Sequence, residues 1–440
     1  MLETGQQIDD EPGDLMQFSR RKLLASAASL SVGLAIPALA RAEESDDFWN
    51  VFKKNNQIKN VDQAGNTATA KSLVETIEPI LSFDTAYNLE AAIANYEAFV
   101  QARGTWDLPS RDTYGLKLGA SRKAAAQLKR RLMINGDMTL EKKINEDFDA
   151  KLDAAVRLFQ ARHGLVINGQ VDEATFYALS VPADYRLNQL RLNAQRIQQW
   201  ASSLSDRYVV VNIPAATIEA VEASQVVQRH NAVVGKVDRA TPILNSKVHQ
   251  VKFNPFWTVP KSIIQKDLVR YMREDPEYLT KFNIRIFDGK GTEVPPTTID
   301  WVSEGAPDDA VRYTFRQDPG GENSMGHCKI DFYNPYDVYL HDTPQKALFG
   351  ENARFHSSGC VRVDQIGTLV SWLLRDNGGW DDPTVEATFA SNESMNVALK
   401  VQVPLHTTYI TAWANRQGTV SFRDDVYNYD AQGKITFEDV

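Results

Sequence analysis

The stretch Arg354 to Gln365 reads RFHSSGCVRVDQ and carries one of only two cysteines in a chain of 440 residues. By residue type alone, Cys360 could be a buried apolar filler, half of a disulfide, a metal ligand or a nucleophile. A thiol becomes a nucleophile near neutral pH only with a base or a positive neighbour. His341, in VYLHDTP, stands at the end of an expected strand, before a turn marked by Pro344. Fifteen residues separate it from Ser357, and Ser357-Ser358-Gly359-Cys360-Val361-Arg362 then enters a new strand. Gly359 lets the backbone come close and present N–H donors to the oxyanion of a tetrahedral intermediate. Cys328, in GHCKIDFYN, falls on a strand face with Ile330 and Phe332 and reads as core. His327 and Cys328 find no further ligands at metal-site spacing, so no metal is expected. The acidic FRDDVYNYD does not match a calcium loop and reads as a structural strand and turn.

The elements that must position these groups divide the chain. Its length predicts two or three domains. Hydrophobic residues at 43% and charged residues at 24% are ordinary for a soluble globular protein. The formal net charge of -9 argues against general nucleic-acid binding, which needs a basic face. Residues 1–42 read as a bacterial export leader of twin-arginine type: Arg20-Arg21, a weakly apolar run, then a small-x-small site ending at Ala42. Cleavage near Ala42 would leave a soluble protein in the periplasm.

Residues 43–110 read as a helical scaffold, with Leu73, Ile77, Ile80 and Leu81, and then Leu89, Ile93, Tyr96 and Val100, at helical spacing. Residues 111–184 read as three short helices, with turns at Asn135-Gly136 and Asn168-Gly169 and a cap at Asp172. A connecting helix is expected over 185–206. From Arg207 to residue 440 the pattern is β-rich, interrupted at 261–316 by a helical and then an irregular, Pro-rich stretch. A helix is expected from Ile366 to Arg375, with Ile366, Leu369, Val370 and Leu373 on one face.

The three-helix pattern resembles the small peptidoglycan-binding-type domain of many cell-wall enzymes. The His-gap-Ser-x-Gly-Cys-Val-Arg arrangement resembles the YkuD-type L,D-transpeptidases. The commoner form has His where this chain has Ser358; the large YcbB-like branch carries Ser-Ser-Gly-Cys. That branch also shows counterparts of NPFWTVP, RQDPG, YLHDTP and YNYD. The fold so implied is multidomain α+β: a helical scaffold, a three-helix domain, and a β-rich YkuD catalytic domain with a capping insertion.

The resemblance implies a periplasmic cysteine acyltransferase without cofactor. Cys360 would attack the stem peptide between diaminopimelate and the terminal D-alanine, giving a thioester that a second stem's amine resolves as a 3-3 cross-link. His341 would be the base, favoured over His356 by motif spacing and oriented by the backbone carbonyl of Asp342. Gly359 and Cys360 would supply oxyanion donors. Arg362 and Arg354 would meet substrate carboxylates, with Ser357, Ser358, Tyr339 and Trp257 lining the substrate site. The insertion, with Tyr271, Arg273 and Tyr278, would close over the donor stem. The alternatives are 1-3 cross-linking, L,D-carboxypeptidase action, lipoprotein anchoring, or a non-catalytic peptidoglycan-binding scaffold. The implied partners are peptidoglycan stem peptides, with room for other cell-wall synthesis enzymes. A monomer is expected and nucleic acid is not.

Overall fold

The computed structural model describes residues 67–301 and 312–436, save the side chain of Lys266. The leader expected at 1–42, and residues 43–66, lie outside the described residues. The described chain is α+β, helical first and β-rich after residue 206.

The helices begin with α1 (Thr67–Val74) and α2 (Phe83–Arg103). The helical spacing of Leu73, Ile77, Ile80 and Leu81 is punctuated by Pro79, and α1 stops at Val74. Pro79 has no amide hydrogen and disfavours helical backbone at Glu78, so the helix cannot run on. The segment is instead pinned to the sheet. The Ile80 N–H donates to the Glu219 carboxylate at 2.8 Å, and the Tyr208 hydroxyl donates to the Leu81 carbonyl at 2.8 Å.

Next come α3 (Lys123–Asn135), α4 (Ala150–Arg162) and α5 (Glu173–Leu179). Asp149 accepts from the Leu152 N–H and Asp172 from the Thr175 N–H, satisfying amides left free at helix starts. Gly136, at φ 81°, ends α3 in the left-handed region that a side chain would resist. Leu128, Leu132, Leu152, Phe159 and Leu179 meet in this unit's own core. Helix α6 (Ala183–Ala201) then packs along α2.

The strands follow as β1 (Arg207–Asn212), β2 (Thr217–Glu222), β3 (Gln225–Gly235), β4 (Leu244–Phe253) and β5 (Trp257–Thr258). A helical run from residue 261, including a π turn at Ile264–Leu268, leads into α7 (Val269–Glu274) and α8 (Tyr278–Lys281). Then come β6 (Ile284–Phe287), β7 (Glu293–Val294), β8 (Thr314–Gln317), β9 (Cys328–Phe332), β10 (Leu340–His341), β11 (Phe355–Ser357) and β12 (Val361–Val363). The chain ends with α9 (Ile366–Leu374), α10 (Asp382–Ser391), β13 (Met395–Thr408), β14 (Ala412–Ala414) and β15 (Val420–Phe422).

Nine strands form one mixed sheet, in the order β11-β3-β12-β10-β9-β4-β13-β1-β2. It closes on itself, because the N-terminal half of β3 pairs with β2 while its C-terminal end pairs with β12 and β11. Strand β1, RYVVVN, is buried on both faces, which explains its run of valines. Val209 and Val211 join the core under α9 and α10; Tyr208 and Val210 join the core under α2 and α6. Ile366, Leu369, Val370 and Leu373 bury the predicted face of α9.

The insertion is more ordered than its Pro-rich sequence suggests. Strands β5, β8, β6 and β7 make a second, four-stranded sheet. Val269, Leu279, Ile286 and Phe315 sit in a separate core against it. This sheet starts at Trp257 and ends at Gln317, so the unit reaches beyond both limits of the expected 261–316. No helix of the described residues is long and apolar enough to cross a membrane.

Candidate active site

Strand alternation separates core from chemistry. On β9, Cys328, Ile330 and Phe332 face the core, so Lys329 and Asp331 face the other way. Strand β10 is antiparallel to β9, with His341 opposite Lys329. It is parallel to β12, with Leu340 opposite Val361 and His341 opposite Arg362. Leu340, Val361 and Val363 are core, which leaves His341 and Arg362 on the open face. Cys360 enters this face just before β12, where the Val361 N–H donates to the Tyr339 carbonyl at 3.0 Å. The sequence gap between His341 and Cys360 thus has a structural cause. Parallel strands cannot be joined by a tight hairpin, and residues 342–360 form the crossover between them. The two cysteines are both free, Cys328 buried within the core and Cys360 half-buried at its edge.

The turn before the nucleophile is tied from several sides. Gly359 sits at φ +117°, a conformation L side chains rarely adopt. The Ser357 hydroxyl donates to the Cys360 carbonyl and accepts from the Gly359 N–H at 3.2 Å. The Thr241 hydroxyl donates to the Gly359 carbonyl at 2.8 Å and accepts from the Gly235 N–H at 2.9 Å. A side chain at Gly235 would put its Cβ 2.2 Å from the Arg239 carbonyl, so only glycine fits. The Tyr427 hydroxyl, from YNYD, donates to the Gly235 carbonyl at 2.6 Å and accepts from the Thr241 N–H at 3.3 Å. The C-terminal motif therefore buttresses the loop that holds the nucleophile turn.

His341 is oriented as the motif implies. Its Nδ1 lies 2.6 Å from the Asp342 carbonyl, so Nδ1 carries the hydrogen and Nε2 is an acceptor. The Asp342 carboxylate is itself fixed, accepting from the His327 N–H at 3.0 Å and from Lys346. Burial, and then Arg362, push His341 down to about 3, so it rests as neutral imidazole. Burial pushes the Cys360 thiol up, against the pull of Tyr339, Lys329 and Arg362. The resting pair is thus thiol and imidazole rather than thiolate and imidazolium. The Cys360 thiol lies 4.0 Å from the Asp337 carbonyl, and the neutral imidazole on the neighbouring strand is the form able to accept a proton.

The other residues expected at the site divide. The Tyr339 hydroxyl meets the Cys360 thiol and the Trp257 indole, and Lys329 lies 4.1 Å over the Tyr339 ring. Ser358 accepts from Arg239 at 2.8 Å. Arg362 donates to Gln345 from Nη1, and its buried Nε has no hydrogen-bond partner. Two expectations need correction. Arg354 spends its guanidinium on the backbone carbonyls of Ala232, Ala215, Ala216 and Glu351, so it laces strands together and has no donor aimed at a substrate. Ser357 is 3% exposed, and its hydroxyl serves the turn, not a ligand. Gly359 likewise gives its N–H to Ser357, whereas the Cys360 N–H makes no hydrogen bond among the described residues and is left available to a ligand. The rival base His356 turns away, bound to Glu351 at 2.8 Å and to the Ala353 carbonyl at 2.9 Å.

Sequence reasoning missed Lys329, Thr241, Arg239 and Asp267. For Lys329 a signal existed, since it alternates with the core residues Cys328 and Ile330. Asp267, in the π turn of the insertion, accepts from Arg239 at 2.8 Å and so ties that subdomain to the rim of the site. Of the insertion residues expected to face a stem, Tyr271 and Tyr278 stack on each other, with ring centroids 4.9 Å apart. Arg273 donates to the Trp301 carbonyl at 3.1 Å.

Residues 206–395 match the family model described as the L,D-transpeptidase catalytic domain, YkuD. Residues 121–179 match the model described as "Putative peptidoglycan binding domain". A curated relative from Haemophilus influenzae, described as "Putative L,D-transpeptidase", is 33% identical over 244 residues. That match covers 56% of this chain and 48% of the relative, so the chain spans about half the relative's length. Similar solved structures include an L,D-transpeptidase from Xylanimonas cellulosilytica, at 14% identity and TM-score 0.22, covering 69% of this chain and 100% of that one. Another is an L,D-transpeptidase from Mycobacterium smegmatis, at 14% identity and TM-score 0.22, covering 46% and 58%. Residues 206–395 are thus similar to the YkuD L,D-transpeptidase catalytic domain, and residues 121–179 to a peptidoglycan-binding domain.

Proposed function

We propose that this chain is a periplasmic L,D-transpeptidase that cross-links peptidoglycan stems through a Cys360 thioester. One observation carries the reading: Cys360 and His341 open onto one face of paired parallel strands, with His341 Nδ1 fixed on the Asp342 carbonyl. His341 Nε2 takes the thiol proton as sulfur attacks the carbonyl between diaminopimelate and D-alanine. The Cys360 N–H donates to the oxyanion. As the C–N bond breaks, the imidazolium returns its proton to the departing D-alanine amine, leaving the acyl group on sulfur. An amine from a second stem then attacks the thioester, His341 takes its proton, and as the C–S bond breaks the imidazolium returns that proton to the Cys360 sulfur. Diaminopimelate as acceptor gives the 3-3 link. The same thioester admits the 1-3 link, water or a lipoprotein amine. Export by the leader at 1–42 places the enzyme with its substrate.

Muropeptide analysis of wall incubated with the purified protein tests this reading. Cross-linked dimers that vanish with Cys360→Ala are expected. Release of D-alanine without dimers would make it a carboxypeptidase, and neither product would leave a binding scaffold.

A further inference from the structure

The correction at Arg354 leaves a donor-stem carboxylate short of one arginine, and a different arginine stands beside the nucleophile. We infer that Arg239 binds the terminal carboxylate of the donor stem, and that Asp267 of the insertion occupies Arg239 while the site is empty. The inference rests on the transpeptidase reading for the identity of the donor.

Placement comes first. The Arg239 carbonyl lies 3.9 Å from where a Cβ on Gly359 would stand, and Arg239 Nη1 is 2.8 Å from the Ser358 hydroxyl. The guanidinium therefore lies along the turn Ser357–Cys360. A leaving D-alanine carries its carboxylate one carbon beyond the scissile nitrogen, so that carboxylate must come to rest close to this turn.

The chemistry of the contact comes second. Asp267 meets Arg239 only through Nη1, at 2.8 Å. The buried Arg239 Nε makes no hydrogen bond, and its nearest carboxylate oxygen, on Asp238, is 3.7 Å away. A guanidinium prefers two parallel bonds to one carboxylate. Asp267 leaves that capacity half used, which is what a replaceable occupant should do. The Arg239 side chain is 15% exposed and that of Asp267 22%, so the cation is mostly desolvated but reachable from the insertion's side. The neighbouring candidate, Arg362, likewise has an unpartnered Nε, but it stands opposite His341 and its Nη1 donates to the neutral Gln345, so no carboxylate of the chain holds its place.

Third, Asp267 belongs to the π turn Ile264–Leu268, a rare local geometry that is frequent at functional sites. The occupant is thus carried on the insertion, so carboxylate binding displaces Asp267 from Arg239 in one exchange.

Equilibrium binding to the inert Cys360→Ala protein tests the inference without needing turnover. The probes are a disaccharide-tetrapeptide with its free terminal carboxylate, the same donor amidated at the terminal D-alanine, and the donor amidated on diaminopimelate. The parent should bind the free acid about tenfold or more tightly than the terminal amide, the size of one charge-assisted pair. Adding Arg239→Gln should abolish that preference, and Arg239→Lys should keep part of it. Adding Asp267→Asn should tighten the acid about threefold to tenfold and leave the terminal amide unchanged. Equal weakening of acid and amide by Arg239→Gln, or weakening of both by Asp267→Asn, would overturn the inference and make the pair a structural latch. Preference for the diaminopimelate carboxylate instead would also overturn it. Failure of the wild type to release D-alanine, with the acid preference intact in binding, would sink the activity and leave this assignment standing.

Discussion

Replacing Thr241 by Val keeps side-chain shape and deletes one oxygen. That oxygen donates to the Gly359 carbonyl at 2.8 Å and accepts from the Gly235 N–H at 2.9 Å. Thr241 is 1% exposed, so water has little access to replace either bond. A typical hydrogen bond is worth about 0.5–1.5 kcal/mol net, and a buried group left unpaired costs about 1–3 kcal/mol. Two groups are stranded here, so Thr241→Val should lose about 2–4 kcal/mol in denaturant unfolding. The catalytic effect should exceed what stability explains, because the freed Gly359 carbonyl belongs to the turn that aims Cys360. Misplacement by about 1 Å can cost about 10²-fold. The assay is the rate at which a carbapenem, a class that acylates YkuD cysteines, labels Cys360 under conditions where the variant is fully folded. Thr241→Ser should restore both properties in large part. A Thr241→Val protein within about 0.5 kcal/mol of wild type, and labelled at the wild-type rate, would refute the claim that Thr241 positions the turn.

The remaining predictions concern the base, its titration and the displaced arginine. His341→Ala should slow Cys360 acylation about 10²–10⁴-fold while His356→Ala stays near wild type; the reverse order in single-turnover rates would reassign the base. His341 titrates near 3 when folded against 6.5 for the free side chain, so the unfolded chain binds the extra proton between those values. Its stabilising contribution is therefore present above pH 6.5 and lost as pH falls toward 3. Between pH 7 and 4.5 the wild type should lose about 2–3 kcal/mol more than His341→Gln, and parallel pH profiles in chemical denaturation would contradict the buried neutral state. Arg354→Gln should cost about 2–4 kcal/mol of stability through its stranded carbonyls, with donor KM within about twofold of wild type. A large KM rise at unchanged stability would return Arg354 to the substrate.

How much of this was legible in the sequence depended on how local the physics was. Cys360, Gly359, His341 and the Asp342 carbonyl act through neighbours in the chain or through one strand pair, and their motif exposes them. Arg354 was misread because residue type reports charge and not direction; its guanidinium faces four backbone carbonyls that arrive from distant segments. Thr241 and Tyr427 reach the nucleophile turn only through tertiary contacts, so no spacing marks them. The break in the helical spacing over Leu73 to Leu81 was legible in Pro79 itself, because a missing amide hydrogen is a local property. In the insertion, β6 and β7 are four and two residues long, too short to show alternation, so that stretch read as irregular; NPFWTVP read as continuing the main sheet, but its Trp257–Thr258 pairs with β8. Strand β13, fourteen residues long, was not read as a central strand; its first half mixes exposed positions with few buried ones and hides the pattern.

The most direct test of the central claim is intact-mass analysis of the purified protein, quenched within one turnover of a disaccharide-tetrapeptide donor. The account predicts an adduct equal to the donor minus D-alanine, mapped to Cys360 and labile to hydroxylamine as a thioester. It should accumulate in wild type, form far more slowly in His341→Ala, and be absent from Cys360→Ala. D-Alanine released at the wild-type rate by Cys360→Ala, or an adduct mapped to any other residue, would contradict it.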